Sequence, residues 1–397
     1  MWINRQLSGR LKSLSTQFPA ILLTGGRQTG KTSLLREVFP EASFVTFDLP
    51  SVAHLAETDP EIFFKMHSLP VILDEVQYVP QIFRSLKGMI DQSRHRMGQI
   101  LMSGSQKFAL MKSVSESLAG RCAIVELDTL SSTEVREAFP GKTPSLSSFM
   151  WKGGFPELYR HRDLNPVEFY HSYVVTYMER DLRSLLKVES LRDFERFLRA
   201  AALRSGQLLN LAEMARDIGI AASTARDWLS VLEASNQVVL LEPYFNNFGK
   251  RMIKAPKLYF KDTGLLCFLL GLDSPAMMEK SHFIGAIWET FVLGQILREK
   301  SFSASSAGVY FWRDAHGVEV DFVIESGGIL RLVEVKWAED PSSTGSVASL
   351  EKVRQLIGAR GAEEHWIACR AKHSFKLRHA PHIRVLNGFE FDEWIRQ

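Results

Sequence analysis

The octapeptide GGRQTGKT at residues 25–32 has the spacing G-x-x-x-x-G-K-[ST] and lies between the apolar run AILL and the amphipathic stretch KTSLLREVF. A glycine-rich turn between a strand and a helix aims backbone N–H groups inward, where they can surround phosphate oxygens. Gly25, Gly26, Arg27, Gln28, Thr29 and Gly30 would form that cradle. Lys31 would carry a charge to the β and γ phosphates, Thr32 would ligate Mg²⁺, and Ser33 would continue the helix beside them. A purely structural glycine turn is the competing reading.

Such chemistry needs a carboxylate on the Mg²⁺ side, at the end of a buried strand, and PVILDEV supplies Asp74. Glu75 follows directly and is the candidate to polarise an attacking water, against the alternative of a solvated acid. The next apolar run, ILMSGSQ, ends in Ser103, Ser105 and Gln106, where a γ-phosphate sensor or an ordinary strand-end turn would sit. Arg121 in SLAGR and Arg180 in YMERDL are candidates to reach a neighbouring subunit's phosphates; a surface arginine is the default for each.

A second set of chemistry-bearing residues lies in DFVIESGGILRLVEVKW, 321–337, two apolar strands around a Ser-Gly-Gly turn. Alternation along a strand puts Glu334 and Lys336 on one face and Val333 and Val335 on the other. Asp321 can reach the same end of the sheet. Asp321 and Glu334 suit a hard cation, Mg²⁺ or Mn²⁺, with Lys336 steadying a nucleophile or developing negative charge. Glu289, in AIWETFVLGQIL, would complete the metal shell. The order helix, Asp strand, E-x-K strand is that of a phosphodiesterase core, although E-x-K on a strand also arises by chance. Downstream, RAKHSFKLRHAPHIR is basic throughout and reads as a phosphate-holding stretch or as solvated surface.

These residues need elements to position them. The chain has 397 residues, 45% apolar and 23% charged, with a net charge of +3, the balance of a globular protein of two to four domains. Charge alone neither requires nor excludes nucleic acid. The three cysteines are far apart, so neither a disulfide framework nor a zinc ribbon is expected, and a reducing cytoplasmic setting fits best. The longest apolar run, LLCFLLGL, is too short to span a bilayer. From 20 to about 130, strand-length apolar runs alternate with helical stretches, which predicts a parallel α/β sheet covered by helices on both faces. The spacing then predicts a helical subdomain over 141–206, a helix-turn-helix unit over 207–275 and a separate α/β unit over 276–397, after a first unit over 1–140.

Within the third unit, apolar residues recur at Leu211, Met214, Ala215 and Ile218, and again at Ala225, Trp228, Leu229 and Leu232. This is the period of two amphipathic helices, with Ser223 as an N-cap for the second. The second helix exposes Thr224, Arg226 and Asp227. A following β-ribbon carries Lys250, Arg251, Lys254 and Lys257 at its tip, four cations that would straddle a DNA backbone or dock a protein.

Taken together, LLTGGRQTGKTSLLR, PVILDEVQ, MSGSQ, SLAGR, GGFPELY and YMERDL resemble the AAA+ ATPases that carry a C-terminal domain of unknown function. In that family the region after the ATPase resembles a winged helix followed by a PD-(D/E)xK nuclease-like fold. The resemblance covers nearly the whole chain. It implies ATP and Mg²⁺ chemistry at Lys31, Thr32, Asp74 and Glu75, and a ring-type homo-oligomer, a hexamer among the sizes, with an arginine crossing between subunits. It also carries the nuclease-like motif over to Asp321, Glu334 and Lys336, and Glu289 matches more loosely. The expected activity is ATP hydrolysis coupled to action on branched or broken DNA; the alternative is an ATP-driven switch with an inactive C-terminal grip for DNA or protein.

Overall fold

The structure is a computed structural model and describes residues 2–105, 110, 114, 116–177, 191–244, 255–303, 305–314, 316–341 and 345–395. Five of the expected apolar runs form strands: β1 (Ala20–Thr24), β2 (Ser43–Thr46), β3 (Val71–Asp74), β4 (Ile100–Gly104) and β5 (Cys122–Glu126). They pair in parallel in the order β2-β3-β4-β1-β5, so β1 is an interior strand and presents its C-terminal end between β4 and β5. Side chains alternate across this sheet. Ala20 and Leu22 join an apolar cluster with Phe63, Phe83 and Leu86, while Ile21 and Leu23 pack with Leu34 and Leu35 on the other face. Covering both faces is what lets the strands be apolar throughout.

The chain continues through the helices Leu146–Lys152, Pro156–Arg160, Pro166–Tyr177 and Leu191–Ala202. Next come β6 (Gln207–Leu208), the helices Leu211–Ile218 and Ala222–Ala234, β7 (Val238–Leu241) and β8 (Lys257–Phe260), with the strands in the antiparallel order β6-β8-β7. The expected apolar faces are the buried ones: Met214 and Ala215 on the first helix, and Ala225, Trp228, Leu229 and Leu232 on the second. Ser223 is not the N-cap. Gly219, at φ 83°, closes the first helix, and Ile220 N–H reaches back to the Ala215 carbonyl at 3.0 Å. The second helix then starts at Ala222, with Ala221 at its cap, which leaves Ser223 inside the first turn.

The last part is a mixed sheet ordered β13-β14-β12-β11-β10-β9, comprising β9 (Gly308–Arg313), β10 (Glu319–Ser326), β11 (Ile329–Val335), β12 (His365–Cys369), β13 (Phe375–Leu377) and β14 (Ala380–Asn387). The helix Ile284–Ser303 and the helix Ser346–Ile357 accompany it. One apolar cluster joins Phe149, Trp228, Tyr259, Phe291, Phe322, Val333 and Phe391. The C-terminal sheet therefore shares its core with the two units before it, rather than folding around a core of its own on that face.

A buried carboxylate fastens the units where they meet. Asp262 caps the helix Thr263–Leu269, accepting from the N–H groups of Gly264 at 3.0 Å and Leu265 at 3.1 Å. It also accepts from Thr129 Oγ1 at 3.0 Å, Gly154 N–H at 2.8 Å and Tyr170 Oη at 2.8 Å. Among the described residues no helix is long and apolar enough to cross a membrane.

Candidate functional site

The P-loop sits between β1 and the helix Lys31–Val38, at the C-terminal end of the sheet. Gly25 adopts φ 146°, and a Cβ there would lie 2.2 Å from the Leu127 carbonyl oxygen, so this position requires glycine. Gly30, at φ 92°, precedes the helix in the left-handed region, and Gln28 also takes a positive φ of 58°. Lys31 is buried, and its ammonium donates to the carbonyls of Gly25 at 3.1 Å and Gly26 at 2.8 Å. That places it over the mouth of the loop, where phosphate oxygens would compete for it.

Thr32 Oγ1 donates to Asp74 Oδ1 at 2.7 Å, and the Ser103 hydroxyl donates to the same oxygen. A hydroxyl and a carboxylate in contact at the loop form an all-oxygen donor pair, which fits Mg²⁺; the ion would neutralise phosphate charge there. Glu75 follows with φ 56°, a conformation uncommon outside glycine that turns its side chain out of the strand. Its Oε2 accepts from the Gln77 amide and from Ser105 Oγ at 3.3 Å. Ser105 thus positions Glu75 within the chain. Gln106 lies outside the described residues.

A cleft of about 380 Å³ is lined by Arg27, Gln28, Lys31, Thr32, Ser33 and Glu75 together with Tyr173 and Thr176 of the helix Pro166–Tyr177. Arg5 braces the loop from behind: its guanidinium donates to the Thr29 carbonyl at 2.8 Å, the Asp128 carbonyl at 2.7 Å and Glu134 Oε1 at 3.1 Å. Neither Arg5 nor Tyr173 was singled out from the sequence. The signal for Arg5 was an arginine inside the apolar spacing Ile3, Leu7, Leu11, all of which are buried.

We expect Glu75→Gln to retain nucleotide binding while turnover falls about 100-fold or more, the usual loss on removing a positioned base. Fluorescent-nucleotide titration beside a phosphate-release assay separates the two effects. A variant that hydrolyses ATP at the wild-type rate would remove Glu75 from the reaction.

Arg121 does not belong to this chain's phosphate site. It precedes β5, its carbonyl accepting from Ala20 N–H at the start of β1, and so lies at the opposite end of the parallel strands from the P-loop. There it pairs with Asp91 at 2.7 Å. Arg180 falls outside the described residues, as do Lys250, Arg251 and Lys254.

The C-terminal charges do converge. The pairing of β10 with β9 shifts register between Val320 and Val323, a bulge spanning Asp321 of the kind that re-aims a side chain next to a site. Asp321 Oδ2 accepts from Val335 N–H at 2.8 Å, and Lys336 Nζ lies 3.0 Å from Glu334 Oε1 and 3.8 Å from Asp321 Oδ2. Phe322, Val333 and Val335 pack into the shared core, as the alternation requires. Burial, and then the neighbouring Asp321, raise the pKa of both Glu289 and Glu334; burial likewise raises that of Asp321.

Two placements differ from expectation. Glu289 is taken up by other groups, accepting from Tyr259 Oη at 2.9 Å with Lys257 Nζ at 3.8 Å. Lys257 is not on an exposed ribbon tip: it is 2% exposed in β8 and pairs with Glu319 at 2.5 Å. The antiparallel pairing of β8 between β6 and β7, together with packing against the C-terminal sheet, turns it inward. In KLYF the alternation of Lys257 and Tyr259 with Leu258 and Phe260 was the available signal.

Among the described residues no group of three or more His, Cys, Asp or Glu side chains is arranged to hold a metal ion, so the three-carboxylate shell is not formed. Asp321 and Glu334 still fit a hard cation. Glu334 is 5% exposed and its Oε2 has no hydrogen-bond partner, a buried acceptor left open. Thr224 is half-buried and Arg226 exposed on the helix Ala222–Ala234. The downstream basic stretch is largely paired, with Arg384 and Lys376 both on Glu364, at 2.7 and 3.0 Å.

The strand, loop, buried lysine and Thr32–Asp74 contact define an AAA-type P-loop ATPase. Residues 17–136 match the family described as an AAA domain, while 143–276 and 284–385 match two domains of unknown function, DUF8612 and DUF4143. The chain is 33% identical over 348 residues to the uncharacterized protein Rv2008c of Mycobacterium tuberculosis and equally to the uncharacterized protein Mb2031c of Mycobacterium bovis, covering 87% of this chain and 76% of each relative. It belongs to the same family as these mycobacterial proteins. Solved structures similar in part include the Walker-type ATPase PABY2304 of Pyrococcus abyssi, at 17% identity, with 68% of this chain and 96% of that one covered and a TM-score of 0.45. The AMPPCP-bound DnaA of Aquifex aeolicus matches at 14% identity over 57% and 85% of the two chains, with a TM-score of 0.30.

Proposed function

We propose that this AAA+ protein hydrolyses ATP with Mg²⁺ and couples the cycle to work on DNA. The observation that carries the reading is the Thr32–Asp74 contact beside Lys31, with Glu75 one residue further on. The helix pair and three-stranded sheet of residues 207–260 support a winged helix, with Arg226 facing solvent on its second helix. The Asp321, Glu334 and Lys336 set supports a nuclease-like C-terminal unit of the PD-(D/E)xK type that takes one divalent ion, Mg²⁺ or Mn²⁺. The working form is a ring-type homo-oligomer in the cytoplasm, a neighbour's arginine completing each phosphate site.

Burial of the carboxylates favours a second reading. Lys336 is the half-exposed member of the set, its side chain 35% accessible, while those of Asp321 and Glu334 are 8% and 6% accessible. A C-terminal unit that holds DNA or a protein without cutting it, moved by the ATPase, suits that enclosure.

ATP turnover is expected to rise several-fold with linear, single-stranded or four-way-junction DNA. Turnover that is the same with and without DNA of every shape would count against the coupling. On the same substrates with Mg²⁺ or Mn²⁺, cuts that disappear in Glu334→Gln mean a nuclease; a shifted band without cuts, in both proteins, means the grip.

A further inference from the structure

β8 contributes two side chains to the C-terminal carboxylate cluster from outside the segment that carries its motif. Lys257 and Tyr259 are two residues apart on one strand and so point to the same face. Both reach Glu289, and Lys257 also reaches Glu319. Burial works against the Lys257 charge, yet Glu289, Asp321 and Glu319 together hold its pKa above the ordinary lysine value. The ammonium is enclosed between Glu319 at 2.5 Å and Glu289 at 3.8 Å, its side chain 3% accessible, and so is held as a cation by its ion pairs inside the cluster.

We infer that Lys257 is a fixed internal cation that withdraws Glu289 from the ligand set, so that the C-terminal site takes a single divalent ion, at Asp321 and Glu334. The inference rests on the reading above that this cluster binds a divalent ion. Fully ionised, Glu289, Glu319, Asp321 and Glu334 would supply four negative charges. Against them stand Lys257, Lys336 and Arg313, the last 3.2 Å from Glu319, so four against three leaves one charge uncompensated. The open acceptor is Glu334 Oε2, buried and without a hydrogen-bond partner, while Lys336 holds the other oxygen of the same carboxylate at 3.0 Å. Tyr259 serves the same end: its hydroxyl occupies the Glu289 oxygen nearest Lys257. Lys257 is thus a positioning residue supplied by the middle unit, and the charge of the site depends on how that unit packs against the C-terminal sheet.

The test is Mn²⁺ binding by nucleotide-free, full-length protein, followed by electron paramagnetic resonance of the free ion. Ions lost in Glu334→Gln are assigned to the C-terminal site, with one per chain expected in the wild type. Lys257→Met removes a nearby positive charge and releases Glu289, so affinity at that site is expected to rise at least about tenfold. Lys257→Arg keeps the charge and should stay near wild type. If the methionine variant lacks a cooperative melting transition, Glu319→Gln provides the opposite arm. It removes one negative charge from a residue that is no ligand, and affinity should fall about tenfold. Should Glu334→Gln bind as the wild type does, no ion sits at the cluster and both readings fall. Should Glu334→Gln lose the ion while the folded Lys257→Met, or in its place Glu319→Gln, keeps wild-type affinity, the divalent-ion reading stands and the role of Lys257 is overturned.

Discussion

Lys31→Ala is expected to reduce ATP turnover by at least about 100- to 1,000-fold, the loss that follows removal of one preorganised group stabilising transition-state charge. The ammonium is buried and bonded to the Gly25 and Gly26 carbonyls, at 3.1 and 2.8 Å, so it is held at the loop before any phosphate arrives. Its removal costs charge at the phosphates and takes a donor from two inward carbonyls, of which that of Gly26 keeps the Thr29 hydroxyl at 3.0 Å. Lys31→Arg should not restore activity, because the planar guanidinium is wider than the space above two carbonyls that a compact ammonium fills. The check is phosphate release at saturating ATP, with circular dichroism to verify folding. Wild-type turnover in Lys31→Ala would remove the P-loop from the chemistry altogether.

Asp262→Ala is expected to have the largest effect on stability, about 4 kcal/mol or more, since charged hydrogen bonds are worth about 1.5–3 kcal/mol each and several are lost together. Five donors converge on this carboxylate: the Thr129 and Tyr170 hydroxyls and the N–H groups of Gly154, Gly264 and Leu265. They come from the end of the ATPase sheet, the helical segment and the helix that follows β8, so one substitution loosens three contacts at once. Asp262→Asn retains one acceptor oxygen and should lose about half as much on the same scale. Urea denaturation followed by tryptophan fluorescence reads this directly. A midpoint within error of wild type in Asp262→Ala would mean the donors find water instead.

Much of the phosphate site was legible because its chemistry is contiguous. A strand, a glycine turn and a helix in succession position Gly25 to Ser33 whatever lies elsewhere, and Asp74 and Glu75 end the adjacent strand in the same way. The direction of parallel strands was also readable, and it puts Arg121 away from this chain's own phosphates: a residue before β5 lies at the end of the sheet opposite the loops that follow β1 and β3. What could not be read locally was the brace from Arg5, which sits 24 residues from Thr29 and 129 from Glu134.

The C-terminal cluster divides along the same line. Alternation alone put Glu334 and Lys336 together and sent Val333 and Val335 to the core. The fate of Lys257 was misread because three cations precede it within eight residues, and charge density in sequence looked like an exposed tip. Burial of an ammonium depends on whether carboxylates meet it, and those partners, Glu289 and Glu319, lie 32 and 62 residues downstream.

By itself, then, the sequence determined a P-loop ATPase on a parallel sheet, an amphipathic helix pair and a charged β-hairpin, since each follows from backbone geometry and periodicity over a short span. Only the tertiary structure decided that Asp262 joins three units, that Glu289 is claimed by Tyr259 and Lys257, and that one oxygen of Glu334 is left open. The physical reason is that a buried charge is tolerated only where its partners arrive, and their arrival is set by packing between elements distant in the chain.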